Sequence, residues 1–222
     1  MDKDYFNTIR FKKNIAIVGS SISLLKKKDG KKIDKFQEIV RFNRSVTINF
    51  ESHVGSKTTT RVINNSVFCC APTNNSKWKL DQNFAKNISN KKIVVISPWR
   101  IKKIHKKKHI LKKNIYFFYD SFLLNKFIFI FFFNHPKIFT KLIKILIFRN
   151  KYLSAGIFFI LLCVINNIIP TIFGFDPNED MTKRSHYWED IRDVKTSNDH
   201  NFFAEKIILN YLHKHKLVKL VT

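Results

Sequence analysis

The segment Val18-Gly19-Ser20-Ser21 closes an apolar run. A loop of this kind can turn backbone N–H groups and hydroxyls toward a phosphate. The same residues also suit an ordinary strand-to-helix turn, and they lack the G-x-G-x-x-G spacing of dinucleotide sites. Eight histidines could supply a general base, because imidazole titrates near neutrality. In a basic chain most histidines are surface residues, and His105, His109, His213 and His215 are read that way. Of three cysteines, Cys69 and Cys70 are adjacent and poorly placed to bridge, which leaves Cys163 without an obvious partner. No His/Cys spacing reads as a zinc site, so no metal ligands are expected. Reduced thiols suit a cytoplasmic setting.

The elements that must position these groups follow from hydrophobic pattern. Asn14–Gly19, Ile39–Asn43, Thr59–Ile63, Ile93–Ser97, Ile115–Phe118 and Thr171–Phe175 are short apolar runs that read as buried strands. Ala155–Ile165 and Asn201–His213 read as helices, the second capped by Asn198 or Asp199. Strands alternating with helices predict an α/β fold, a three-layer α/β/α Rossmann-like domain with a mostly parallel sheet. Leu153–Phe175 is long enough to span a bilayer but is interrupted by Asn166, Asn167 and Pro170, so a buried helix followed by a buried strand is expected. The stretch Phe127–Phe133 is too short to span.

The chain has 222 residues, which suits a single domain, and 45% of them are hydrophobic, enough for a full core. That content excludes a wholly disordered chain. Lysine and arginine number 41 against 16 acidic residues, a net charge of +25. Nucleic acid, an anionic membrane surface or a polyanionic small substrate would each answer such a charge. Ile101–Lys113 is a dense basic run, and Pro136–Lys151 reads as an amphipathic helix with Lys137, Lys141 and Lys144 on one face. The run is read as a solvated face and the helix as packing on the core, with contact to an anionic surface the alternative for each. A nucleic-acid-binding protein is the main competing class, but no RNP, KH or helix-turn-helix signature supports it, and no nucleic acid is expected as partner.

Beyond the Gly-Ser loop, further residues stand in a particular order: Ser23-Leu24, Gly30-x-x-Ile33-Asp34, Val40-Arg41-Phe42-Asn43, Asn49-Phe50, Val54-Gly55-Ser56-Lys57-Thr58-Thr59 and Arg61. This segment, 15–66, resembles the large sialylmotif of the sialyltransferases, glycosyltransferase family 29. Leu153-Ser154-Ala155-Gly156 through Ile172-Phe173-Gly174-Phe175 (153–176) resembles the small sialylmotif. His186-Tyr187-Trp188-Glu189 resembles the third motif, and His200-x-x-x-x-Glu205 the very small one. The resemblance implies a GT-A-like variant of the α/β fold and one catalytic domain over 1–222. The implied activity is inverting, metal-independent transfer of sialic acid, or a related ulosonic acid, from a CMP-activated donor to a glycan or glycolipid hydroxyl. No cofactor is implied beyond the CMP-sugar donor. The alternative within the family is a catalytically silent member that only binds glycan or nucleotide.

The resemblance also assigns roles. His200 would be the general base and His186 the partner of the leaving phosphate. Gly19, Ser20, Ser23, Asn43, Ser154, Ala155 and Gly156 would contact the CMP-sugar. Glu205 is expected to be structural, since five residues place it about 140° around a helix from His200. Tyr187 and Trp188 serve equally as packing or as ligand contacts. Some departures stand out. Ser20 and Ser23 replace the asparagines of many members, a serine at the second place hinting at 2,6 linkage. Leu153 and Ala155 replace Pro and Thr/Ser. The cysteine pair of the animal enzymes is missing near Ile15 and Asn167. With no signal-anchor or stem in view, a bacterial-type enzyme is expected, cytoplasmic or peripheral at the inner membrane face.

Overall fold

A computed structural model describes residues 11–64, 92–96, 115–118, 133–138, 153–175, 186–188 and 202–221. Outside them lie Cys69, Cys70, the run 101–113, Lys141, Lys144, Glu189, the capping residues Asn198 and Asp199, and His200. Among these residues seven strands form one sheet: β1 (Ile15–Val18), β2 (Glu38–Phe42), β3 (Thr60–Asn64), β4 (Lys92–Ile96), β5 (Ile115–Phe118), β6 (Thr171–Phe173) and β7 (Lys219–Val221). Their order is β5-β4-β3-β2-β1-β6-β7, and every pairing is parallel. The chain moves outward from β1 to β5, then returns to lay β6 along the other side of β1. The strand order thus reverses at β1 and β6, and open parallel sheets bind ligands at the carboxyl ends beside such a reversal.

Strands β1, β2, β3 and β6 are buried on both faces, which is why they read as continuous apolar runs rather than alternating ones. Ile15, Ile17, Val40, Phe42, Val62, Val94 and Ile172 pack beneath two helices, α3 (Ala155–Ile165) and α4 (Phe202–Lys214). Ala16, Val18, Ile39 and Phe173 face the other way, against Leu24, Ile33, Val54 and Tyr187. Leu24 belongs to a 3-10 turn (Ile22–Lys26), while Ile33 and Val54 come from the one-turn helices α1 (Gly30–Ile33) and α2 (Glu51–Val54). The result is the expected three-layer α/β/α architecture.

Helix α3 is buried from Gly156 to Cys163, so its apolar character on all sides reflects its place inside the core. It stops at an asparagine pair. Asn167 takes a left-handed φ of 56°, its N–H donates to the Val164 carbonyl, and the Ile168 N–H donates to the Cys163 carbonyl. These two bonds are the Schellman arrangement, which satisfies carbonyls that a helix end would leave open. The apolar stretch 153–175 is thus a buried helix followed by a buried strand. Among the described residues no helix is long and apolar enough to cross a membrane. In α4 the buried positions Ala204, Glu205, Ile208, Leu209 and Leu212 form one stripe at helical spacing. Cys163 is a free thiol, and complete burial pushes its pKa far up.

Candidate active site

The loop after β1 is pinned on two sides. Toward β6, the Gly19 N–H donates to the Phe173 carbonyl (2.8 Å) and the Ser21 N–H to that of Gly174 (3.4 Å). Toward the third motif, the Tyr187 N–H donates to the Ser20 carbonyl (3.1 Å), and Ser21 forms an antiparallel bridge with His186. A side chain on Gly19 would collide with the Gly174 carbonyl and lie 2.7 Å from the Phe175 ring. One on Gly156 would lie 2.8 Å from the same ring. Phe175 is therefore a wedge between the loop after β1 and the first turn of α3. Both glycines serve close packing of backbone against aromatic ring.

The hydroxyls of Ser21, Ser23 and Ser154 are all engaged. Ser21 is fully buried, its Oγ accepts from the Ser23 N–H (3.0 Å), and the two hydroxyls bond each other at 2.7 Å. Ser23 is thereby tied into the start of the 3-10 turn. The Ser154 N–H donates to Glu205 Oε1 (2.6 Å) and its Oγ donates to Oε2 (3.1 Å). Ser154 Oγ also accepts from the Ile157 N–H (3.4 Å), the usual N-cap bond. Of the first four N–H groups of α3, only those of Ala155 and Gly156 then have no partner among the described residues.

Asn43 ends β2 with a left-handed φ of 45°, a conformation that asparagine tolerates better than most residues. Its N–H donates to the Val62 carbonyl (2.7 Å), and its Oδ1 accepts from the Asn64 N–H (2.9 Å). The side chain is thus anchored at the carboxyl edge of the sheet. His186 stacks flat on Trp188, with ring centroids 4.6 Å apart and an angle of 9°. Tyr187 points the other way and is buried: its ring meets Phe50 edge-on, and its hydroxyl donates to the Val46 carbonyl. Burial pushes its pKa up to about 12, with Arg41 and Arg61 acting in the opposite sense.

Under this edge lie two buried arginines. Arg41 Nε and Nη2 donate to the carbonyls of Val54, Gly55 and Lys57 and to the Thr58 hydroxyl. Arg61 Nη1 donates to the Ser45 carbonyl (2.9 Å) and hydroxyl (2.7 Å), and more weakly to the Asn43 carbonyl (3.5 Å). Burial lowers both pKa values, that of Arg61 to about 10. Asp34 grips the same 54–58 loop from outside, accepting from the N–H groups of Ser56 and Lys57 and from the Ser56 hydroxyl. Burial alone would raise its pKa, but these bonds and the Arg41 charge hold it below the usual value.

The model of glycosyltransferase family 29 (sialyltransferase) matches residues 7–217. The chain belongs to this family. A 55-residue stretch is 40% identical to beta-galactoside alpha-2,6-sialyltransferase 2 of Danio rerio, covering 25% of this chain and 11% of that protein. The same protein of Xenopus tropicalis is 40% identical over 52 residues, 23% of this chain and 10% of its own. The match thus spans about a tenth of the length of these relatives. Among solved structures, the alpha-2,3-sialyltransferase Cst-I of Campylobacter jejuni aligns with a TM-score of 0.58 at 18% identity, over 96% of this chain and 78% of its own. The sialyltransferase CstII of Campylobacter jejuni, in complex with the substrate analogue CMP-3FNeuAc, gives 0.54 at 15% over 94% and 80%. A mammalian sialyltransferase in complex with Gal-beta-1-3GalNAc-ortho-nitrophenol gives 0.57 at 17% over 93% and 68%. At these identities the likeness establishes the fold, the GT-A-like α/β fold expected from the motifs.

The family's motif residues that can be described converge. Gly19, Ser20 and Ser23 follow β1, Asn43 follows β2, Ser154, Ala155 and Gly156 open α3 beside Phe175, and His186 bridges Ser21. Sequence reasoning missed the supports: Arg41 and Arg61 beneath the site, and the Glu205–Ser154 tether. An arginine inside each of the apolar strands I-V-R-F and T-R-V-I was the available signal, because charged residues are rarely fully buried without a dedicated partner.

Proposed function

We propose that this family member is an inverting, metal-independent sialyltransferase, one catalytic domain that moves sialic acid, or a related ulosonic acid, from a CMP-activated donor to a glycan hydroxyl. The observation that carries this reading is the gathering of the Gly19–Ser21 loop, Asn43, the start of α3 and His186 at the carboxyl ends of neighbouring parallel strands. The acceptor hydroxyl attacks the anomeric carbon as its bond to the phosphate oxygen breaks, and CMP leaves. His200 takes the hydroxyl proton. His186 meets the charge that develops on the leaving phosphate, helped by the N–H groups at the start of α3. A monophosphate leaving group develops a charge that such dipoles and one histidine can meet without a divalent cation.

The test is release of CMP from CMP-sialic acid, with and without candidate glycan acceptors. Acceptor-dependent release, insensitive to EDTA, is expected. No release with any acceptor, alongside retained CMP binding, would favour the silent, binding-only member instead. The described surface also suits an anionic leaflet holding glycolipid acceptors, since Lys26, Lys27, Lys28, Lys31 and Lys35 are all exposed. Each lysine near such a surface can add about 1 kcal/mol. Co-sedimentation should favour anionic over neutral vesicles, and equal binding to both would remove that part of the proposal.

A further inference from the structure

We infer that Glu205 is a positioning residue for the donor phosphate, acting through Ser154. The inference rests on the donor reading above, in which the first turn of α3 meets the phosphate of CMP.

The opening residue of α3 has a hydroxyl and an N–H that could both be offered to an anion. Neither is open. Both donate to the two oxygens of one carboxylate, at 3.1 and 2.6 Å, and that carboxylate is only 2% exposed. The Ser154 oxygen is further committed to the Ile157 N–H. A bidentate, charge-assisted grip of this kind fixes direction as well as distance. Its consequence is a selection among donors. The Ala155 and Gly156 N–H groups are left for a phosphate, and they are held at a set angle because Ser154 cannot rotate. Gly156 is also packed against the Phe175 ring, so the turn is braced from both sides.

Glu205 sits in the first turn of α4, a helix whose buried stripe packs with α3 over the same core. In the chain His200 precedes this helix by two residues. The carboxylate therefore ties the segment that follows the candidate base to the candidate phosphate end. The H-x-x-x-x-E spacing then has a physical content: one member acts on the acceptor, the other orients the donor end of a different helix.

The test compares CMP with cytidine, which lacks the phosphate, by calorimetric titration of the wild-type chain and of Glu205→Ala, Glu205→Gln, Ser154→Ala and Glu205→Ala/Ser154→Ala. The wild type should prefer CMP over cytidine. Glu205→Ala should cut that preference about tenfold or more, as expected for losing a charged, buried hydrogen-bond partner. Cytidine affinity should stay within a factor of about two, a margin smaller than one ordinary hydrogen bond. Glu205→Gln keeps an acceptor for the Ser154 N–H and should retain most of the preference. Adding Ser154→Ala to Glu205→Ala should cost nothing more. Equal losses for CMP and cytidine, or Ser154→Ala costs that multiply with those of Glu205→Ala, would overturn the positioning role. A wild-type chain that binds no CMP would instead overturn the donor reading beneath it.

Discussion

Arg41 and Arg61 are direct neighbours across β2 and β3, both buried, and among the described residues neither forms an ion pair with a carboxylate. Two like charges side by side in a protein interior are costly unless their donors are used. Here Arg41 Nε and Nη2 and Arg61 Nη1 are used, chiefly on main chain: Arg41 holds the 54–58 loop and Arg61 the turn that carries Asn43. Arg41→Met should therefore destabilise by about 2–4 kcal/mol, since several buried carbonyls lose their donors. Arg61→Met should do the same. Urea denaturation of the double variant should show more than the sum, because each single change already relieves the one repulsion that the double variant can relieve only once. A double variant that costs the sum, or less, would mean that the repulsion is negligible.

Tyr187 makes the same region sensitive to alkaline pH. Its phenol is raised to about 12 in the folded chain, against about 10 for an unfolded tyrosine. Between those values the folded state holds a proton that the unfolded state has lost, so stability is full below pH 10 and falls as pH rises toward 12. Absorbance titration near 295 nm should show one tyrosine ionising later than the rest. Tyr187→Phe should remove that late step. If all the tyrosines of the wild type titrate together near pH 10, the buried hydrogen bond to the Val46 carbonyl is not maintained in solution.

Legibility in the sequence followed the reach of each interaction. Strands β1 to β6 and helix Ala155–Ile165 were readable because local signals bound them: apolar runs of four to six residues, closed by Gly, Ser or Asn. The boundaries moved by one or two residues, as at β2, where Asn43 leaves the strand for a left-handed turn. Strand β7 was not readable, because Lys219–Val221 is a three-residue edge strand with no flanking turn signal of its own. In the site, Gly19, Asn43, Ser154 and His186 could be gathered from motif order. The Ser21–Ser23 hydroxyl pair, which engages a residue expected to face nucleotide, and the Glu205–Ser154 tether could not. They depend on side-chain direction and on a contact spanning 51 residues, which no local pattern encodes.

The Phe175 wedge can be tested by paired changes. Gly156→Ala places a methyl 2.8 Å from the Phe175 ring, nearer than real contacts allow. Phe175 is nearly buried and meets Phe42 edge-on at 5.9 Å, so it has little room to retreat. The expected cost is about 1–3 kcal/mol, the usual range for overpacking. Phe175→Leu alone should also destabilise, by loss of volume and of the aromatic contact. The pair Gly156→Ala/Phe175→Leu should recover part of the single-variant loss in thermal denaturation, because the new methyl occupies space the ring has left. Strictly additive costs would show that Phe175 does not wedge the first turn of α3 in the way the contact distance requires.

The two motif histidines should separate by what each touches. If His200 is the base, His200→Ala should reduce kcat by about 10²–10⁴-fold, the usual range for removing a positioned base. CMP affinity should be little changed, because the base serves the acceptor hydroxyl. His186 is bridged to Ser21 and stacked on Trp188, so its ring is held beside the loop after β1. His186→Ala should slow turnover and also weaken CMP binding, more than His200→Ala does, because CMP keeps the phosphate that this ring would meet. The rate should fall at low pH as the base protonates. Steady-state kinetics with an established acceptor, paired with CMP titration, measures both. Wild-type turnover in His200→Ala would eliminate it as the base, and CMP binding lost equally in both variants would deny the division of labour between them.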